Sequence, residues 1–66
     1  MNIKFPIDIR NPADAVRCVC AELSARGVKN YIHYGDTVTV DINGKLTKPV
    51  VDFSTRSVHF DPIEHL

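Results

Sequence analysis

One segment of helical periodicity, in a chain that otherwise alternates like β-strand, most strongly constrains the fold. Asn11 is a favourable N-cap, Pro12 suits the first helical position, and Gly27 suits the position just past the last turn. Between these ends an apolar stripe recurs at helical spacing and consists of Val16, Val19, Cys20 and Leu23. Because one helix covers only one face of a sheet, the sequence predicts a two-layer α+β domain with the other face open.

The remaining segments predict a mostly antiparallel sheet of four or five strands, in the order β-α-β-β-β-β, within one domain spanning residues 1–66. Pro6 has no N–H for a β-ladder, so either the first strand lies at an edge of the sheet or Pro6 faces away from its pairing. Residues 3–9 alternate strictly, and their expected core-facing side chains are Ile3, Phe5, Ile7 and Ile9.

Turn lengths determine which side chains share a face of the sheet. Gly35-Asp36 predicts a two-residue hairpin loop, with Tyr34 on the core side or at its rim. At Asn43-Gly44 the default two-residue loop would turn Leu46 toward solvent. The apolar pattern therefore favours a three-residue loop with Gly44 in a left-handed conformation.

A last hairpin is predicted around residues 54–57, and Pro49 predicts a bulge or break in the strand before it. Its expected core-facing residues are Val51, Phe53, Val58 and Phe60. The open face of the sheet is expected to carry Lys4, Asp8, Tyr31, His33, Thr39, Asp41 and His59.

Size and cysteine spacing indicate a small intracellular protein. A chain of 66 residues buries about 60% of its unfolded surface, so we expect self-association as a homodimer to add stability. Cys18 and Cys20 diverge by about 200° around a helix and cannot form a disulfide, so both are expected to be reduced. No apolar run reaches about 18 residues and no signal sequence is evident, which predicts a cytoplasmic protein without membrane contact.

Catalysis and cofactor binding are not expected. The sequence contains no H-E-x-x-H, Walker A, G-x-S-x-G or paired C-x-x-C motif. His59 and Asp61 would share one side of a strand, which resembles half of a metal site, but a metal requires three or four converging ligands. An enzymatic or metal-dependent role for this pair is therefore the weakest hypothesis.

Protein binding is the leading prediction. Aromatic rings with mixed charges on an open sheet face are typical of non-obligate protein interfaces. The chain would act as a non-catalytic regulatory module that occupies a partner's surface, through the open face or the Ile3–Ile9 edge. The residues expected to contact the partner are Lys29, Tyr31, His33, Tyr34, Arg56 and His59.

Single-stranded nucleic acid is the alternative partner for the same face. Tyr31 and His33 would stack on bases, and the cations expected to meet phosphates are Lys29, Lys45, Lys48 and Arg56. Eight basic residues are balanced by eight acidic ones, so the chain lacks the basic excess typical of nucleic-acid binders.

In its size, neutral charge and predicted α+β fold, the chain resembles the small accessory proteins of phages and mobile elements. Such proteins often act by sitting on a host protein and blocking it. The resemblance implies an inhibitory role and rests on no sequence motif.

Overall fold

A computed structural model describes residues 2–63, which form one α-helix packed on a five-stranded antiparallel sheet. The elements are β1 (Asn2–Lys4), α1 (Pro12–Ala25), β2 (Asn30–Tyr34), β3 (Val38–Ile42), β4 (Lys45–Asp52) and β5 (Ser57–Pro62). The sheet order is β1-β5-β4-β3-β2, so β1 and β2 are the two edge strands. The predicted two-layer α+β fold is confirmed, and β1 is an edge strand as Pro6 indicated.

Helix α1 begins and ends where the sequence predicted. The side-chain oxygen of Asn11 accepts a hydrogen bond from the Ala13 N–H at 2.8 Å. At the other end Gly27 has a φ of 84°, a left-handed conformation. The Val28 N–H donates to the Leu23 carbonyl at 2.9 Å, which is the long-range bond of a Schellman motif.

The core lies between α1 and the side of the sheet that it covers. Leu23 and Val19 of the helix and Val40 and Val58 of the sheet are each less than 2% exposed. Ala15, which lies outside the predicted apolar stripe, is fully buried and belongs to this core. The other buried apolar residues are Ile3, Phe5, Val16, Cys20 and Phe60.

The β2–β3 connection differs from its prediction by one residue. Tyr34 lies opposite Val38, so the loop contains three residues, 35–37, and the predicted two-residue loop is wrong. Ile32 and Val40 lie opposite each other, and both face the helix-covered side of the sheet. Because side chains alternate between the two faces along each strand, this pairing requires a loop with an odd number of residues.

The β3–β4 loop is one residue shorter than predicted, whereas the β2–β3 loop is one residue longer. Ile42 lies opposite Lys45, so the loop is the two residues Asn43 and Gly44, with φ of 51° and 85°. The predicted three-residue loop is therefore wrong, whereas the left-handed Gly44 is confirmed. Two successive positive φ values suit the strand twist of a tight hairpin, and here that preference prevails over the apolar pattern.

Compared with the predicted three-residue loop, the two-residue turn places Leu46 and Thr47 on opposite faces of the sheet from those expected. Leu46 lies opposite Asp41, on the side away from the helix, and Thr47 lies opposite Val40 in the core. The core accepts Thr47 because its hydroxyl donates to the Val40 carbonyl at 2.8 Å. A buried polar group is therefore satisfied locally.

The predicted bulge or break at Pro49 is wrong, because β4 runs through it without interruption; Pro49 instead limits the pairing of β4 with β3. The β3–β4 ladder ends at the pair of Val40 with Thr47, while β4 continues to pair with β5 past Pro49 as far as Asp52. Because Pro49 has no N–H to donate toward β3, the two strands are not hydrogen-bonded beyond Thr47.

Three side chains expected in or near the core are exposed. Ile7 is 75% exposed because β1 ends at Lys4 and the chain turns, with the Ile9 N–H donating to the Pro6 carbonyl at 3.2 Å. Phe53 and Tyr34 are 42% and 65% exposed, because each lies at the end of its strand beyond the helix-covered core.

Replacing Gly27 by alanine tests the helix C-terminus. We expect a loss of about 1–2 kcal/mol in the free energy of unfolding, since an L-residue is strained in the left-handed conformation. No atom lies within 4 Å of the position a Cβ would take, so the loss is conformational. Gly35→Ala is the matched control, since Gly35 has equal space and no positive φ. Urea denaturation measures both, and an equal effect in the two variants would contradict the assignment.

Candidate functional site

The side of the sheet away from α1, here called the open face, has no second layer over it among residues 2–63. Strand alternation places on it Lys4, Tyr31, His33, Thr39, Asp41, Leu46, Lys48, Val50, His59 and Asp61. Most of the predicted open-face residues are therefore there. Asp8 is not, because it lies in the loop between β1 and α1.

The six predicted contact residues do not form one patch. Tyr31 and His33 lie together on β2, with Lys29 just before them, whereas His59 is on β5. Two strands, β4 and β3, separate β5 from β2, which corresponds to a distance of about 14 Å. His59 instead pairs with Asp61, whose Oδ1 lies 3.4 Å from the His59 Nε2.

Lys29 and Tyr31 border a shallow depression at the β2 side of the open face. It has a volume of about 520 Å³, and its floor includes Asp41, the cross-strand neighbour of Tyr31. Among residues 2–63 the Asp41 Oδ1 has no hydrogen-bond partner, although it is buried. A donor from outside the chain, including ordered water, would satisfy this oxygen.

Arg56 lies in the β4–β5 turn, where it has a left-handed φ of 54°. The Asp52 Oδ1 holds this turn by accepting from the Ser54 hydroxyl at 2.6 Å and the Ser54 N–H at 2.9 Å. These hydrogen bonds, the hydroxyl first, lower the pKa of Asp52 because they stabilise its charged form. The Arg56 carbonyl accepts from the Phe5 N–H at 2.8 Å, so this position is also structural.

Tyr34 lies on the opposite side of the sheet from Tyr31 and borders an open groove of about 540 Å³, here called the apolar groove. The groove opens where β3 and β4 stop pairing, between Val38 and Pro49, and the first turn of α1 forms its other wall. Its lining is Asn11, Pro12, Ala13, Val16, Tyr34, Thr37, Val38, Lys48, Pro49 and Val51.

Two further large apolar side chains, Phe53 and Ile7, are exposed outside the lining of the apolar groove. Phe53 follows Val51 on the same side of β4, and its ring meets the ring of Phe5 edge-on at 5.4 Å. Ile7 lies in the loop that leads into the N-terminus of α1. Sequence reasoning missed these exposed residues because it assigned them to the core, and the one signal of the apolar groove was Pro49 within β4.

Cys18 and Cys20 are both free, the first half-buried and the second buried. Burial raises the pKa of the Cys20 thiol. No group of three or more His, Cys, Asp or Glu side chains in residues 2–63 converges to hold a metal ion. No helix in the same part of the chain is long and apolar enough to cross a membrane.

Comparison of the chain with protein-family models, with curated proteins and with solved structures found no match.

Replacing Asp52 by alanine tests the β4–β5 turn through its pH dependence. A carboxylate whose pKa is lowered by folding adds stability above its unfolded pKa of about 3.9, and that stability is lost as the pH falls through the folded pKa. We therefore expect wild type to exceed Asp52→Ala in stability at pH 7 and the difference to shrink below about pH 4. Urea denaturation of both proteins from pH 7 to pH 2.5 measures it. A difference that stays constant with pH would contradict the role of the charge.

Proposed function

We propose that this chain is a non-catalytic protein-binding module that acts by occupying the surface of a partner protein. The observation that carries the proposal is the apolar groove beside Tyr34, a large side chain that is 65% exposed. Soluble chains rarely leave contiguous apolar surface exposed, and where they do it is typically a binding site.

The lining of the apolar groove indicates the chemistry of what it would bind. Val38, Pro49 and Val51 offer aliphatic surface, and Tyr34 and Thr37 of the same lining carry hydroxyl groups that can form hydrogen bonds. An aliphatic or aromatic side chain of a partner, inserted from the open side, would desolvate this surface. Such anchors in pockets carry most of the energy of protein interfaces.

Tyr34 is the residue that links this proposal to the predicted contact set. It is large, exposed and held at the end of β2, so it loses little conformational freedom when a partner covers it. Occupancy of a partner's surface would block whatever else binds there. The small accessory proteins of phages and mobile elements, which the chain resembles in size and fold, often act in this way.

Ala13→Arg tests the proposal with little risk to the fold. Ala13 is exposed in the first turn of α1 and lines the apolar groove, so an arginine there fills the groove while preserving helix propensity. Ala21→Arg is the matched control, an exposed alanine of the same helix that does not line the groove. We expect a protein captured stoichiometrically from nuclease-treated lysate by wild type and Ala21→Arg, and at least about tenfold less by Ala13→Arg.

Two other outcomes would overturn the proposal. If binding survives Ala13→Arg but is lost in the double variant Tyr31→Ala with His33→Ala, docking is through the open face. If all captured material disappears with nuclease and binding falls steeply with salt, the chain binds nucleic acid instead.

A further inference from the structure

The free edge of β2 presents unpaired backbone groups in a regular pattern. The Asn43 N–H donates to the Lys29 carbonyl at 3.1 Å, which fixes the alternation of hydrogen-bonded pairs between β2 and β3. Odd-numbered residues of β2 therefore bond toward β3, and the even-numbered Asn30, Ile32 and Tyr34 direct their N–H and C=O groups outward. Among residues 2–63 none of these outward groups has a backbone hydrogen-bond partner.

The two edges of the sheet differ in how well they are protected against further pairing. Strand β1 is three residues long, carries Lys4 and is followed at once by Phe5 and Pro6. Strand β2, with the sequence NYIHY, is five residues long and contains no lysine, acidic residue or proline. Short length, charge and proline are the features that keep edge strands from pairing, and β2 lacks all of them.

The flanks of β2 are complementary to a second copy of the same strand. Lys29 precedes the strand, Asp36 follows it, and both are exposed. In an antiparallel pair centred on Ile32, all five strand residues pair, and each Lys29 lies opposite Gly35 of the other copy, one position from that copy's Asp36. A parallel pair would instead place like charges together at both ends.

We propose that two copies of this chain pair through antiparallel β2 strands about a twofold axis at Ile32, and so join their sheets into one. Each Ile32 donates to and accepts from its counterpart, and the pairs of Asn30 with Tyr34 on either side bring the total to roughly six backbone hydrogen bonds. The twofold axis is perpendicular to the sheet, so both helices lie on one side and both open faces on the other.

The pairing has a consequence for the open face. Tyr31 of each copy lies opposite His33 of the other, because both residues flank the axis on the same side of the sheet. Four rings thus gather at the centre of the joined open face. The apolar groove lies on the other side of the sheet, between β3 and β4, and remains accessible in the pair.

Sedimentation equilibrium of the purified chain from about 10 µM to 1 mM tests the proposal without any other partner. A five-residue strand pair buries less than the roughly 1,200–2,000 Å² of a standard interface, so we expect a concentration-dependent dimer with a micromolar dissociation constant. A monomer at every concentration would overturn the proposal. Because no partner protein is present, this result is independent of the proposed groove function.

Backbone N-methylation of Ile32 in synthetic protein tests the strand geometry. The Ile32 N–H points away from β3, so the fold should remain and its circular dichroism should be unchanged. We expect dimerisation to weaken at least about tenfold, because the change removes the two central interchain bonds. N-methylation of Lys4, whose N–H faces outward at the other edge, is the control and should have no effect. Undiminished dimerisation after methylation at Ile32 would exclude this edge.

A charge exchange tests the orientation of the strands. Lys29→Asp and Asp36→Lys, made singly, place like charges together at both ends of the pair, and each should weaken the dimer by about three- to tenfold. The double variant restores opposite charges and should return the dissociation constant to within about twofold of wild type. Failure of the double variant to recover would overturn the antiparallel arrangement even if a dimer forms. Ala13→Arg should leave the dimer unchanged, which separates this surface from the apolar groove.

Discussion

The contact between the apolar stripe of α1 and one side of the sheet is the interaction on which the rest of the structure depends. Leu23 and Val19 meet a sheet surface whose fully buried centre is Val40 and Val58. Helix α1 connects the two edge strands, and its 14 residues, about 21 Å, match the width of about 19 Å spanned by five strands. With its one helix on this side, the described chain leaves the other side open.

The limits of this core explain where apolar surface remains exposed. Pro49 ends the ladder between β3 and β4, and the strands are unpaired where the first turn of α1 begins. Tyr34 at the end of β2 and Phe53 just after β4 retain large exposed areas. The apolar groove therefore lies where one residue that cannot donate a hydrogen bond ends the β3–β4 ladder, beside the first turn of α1.

The two proposed binding surfaces lie on different parts of the same hairpin. The apolar groove uses the side of the β2–β3 hairpin that faces α1, whereas self-pairing uses the backbone of β2 at the edge of the sheet. The two proposals are therefore compatible, because a second copy on β2 would leave the apolar groove uncovered. A dimer would present two grooves in fixed relation, which would raise the affinity for a partner that is itself dimeric.

Local signals in the sequence were sufficient for the elements and the fold class. The helix bounded by Asn11 and Gly27, its apolar stripe and the alternation of the strands were predictable, because caps and periodicity act over a few residues. Tyr31 and His33 were placed on the open face by the same alternation. The loop lengths around residues 35–37 and at Asn43-Gly44 were not predictable, because turn geometry and side-chain burial favoured opposite registers and only the assembled sheet decides between them.

The sequence by itself thus determined which segments form helix and strand and that a single helix would cover one face. Only the tertiary structure decided the order of the strands, which makes β2 an edge and separates His59 from Tyr31. It also decided that Thr47, and not Leu46, enters the core, and that Ile7 and Phe53 stay outside it. The physical reason is that burial depends on which neighbours a strand acquires and how far the helix reaches, and both involve residues distant in the chain.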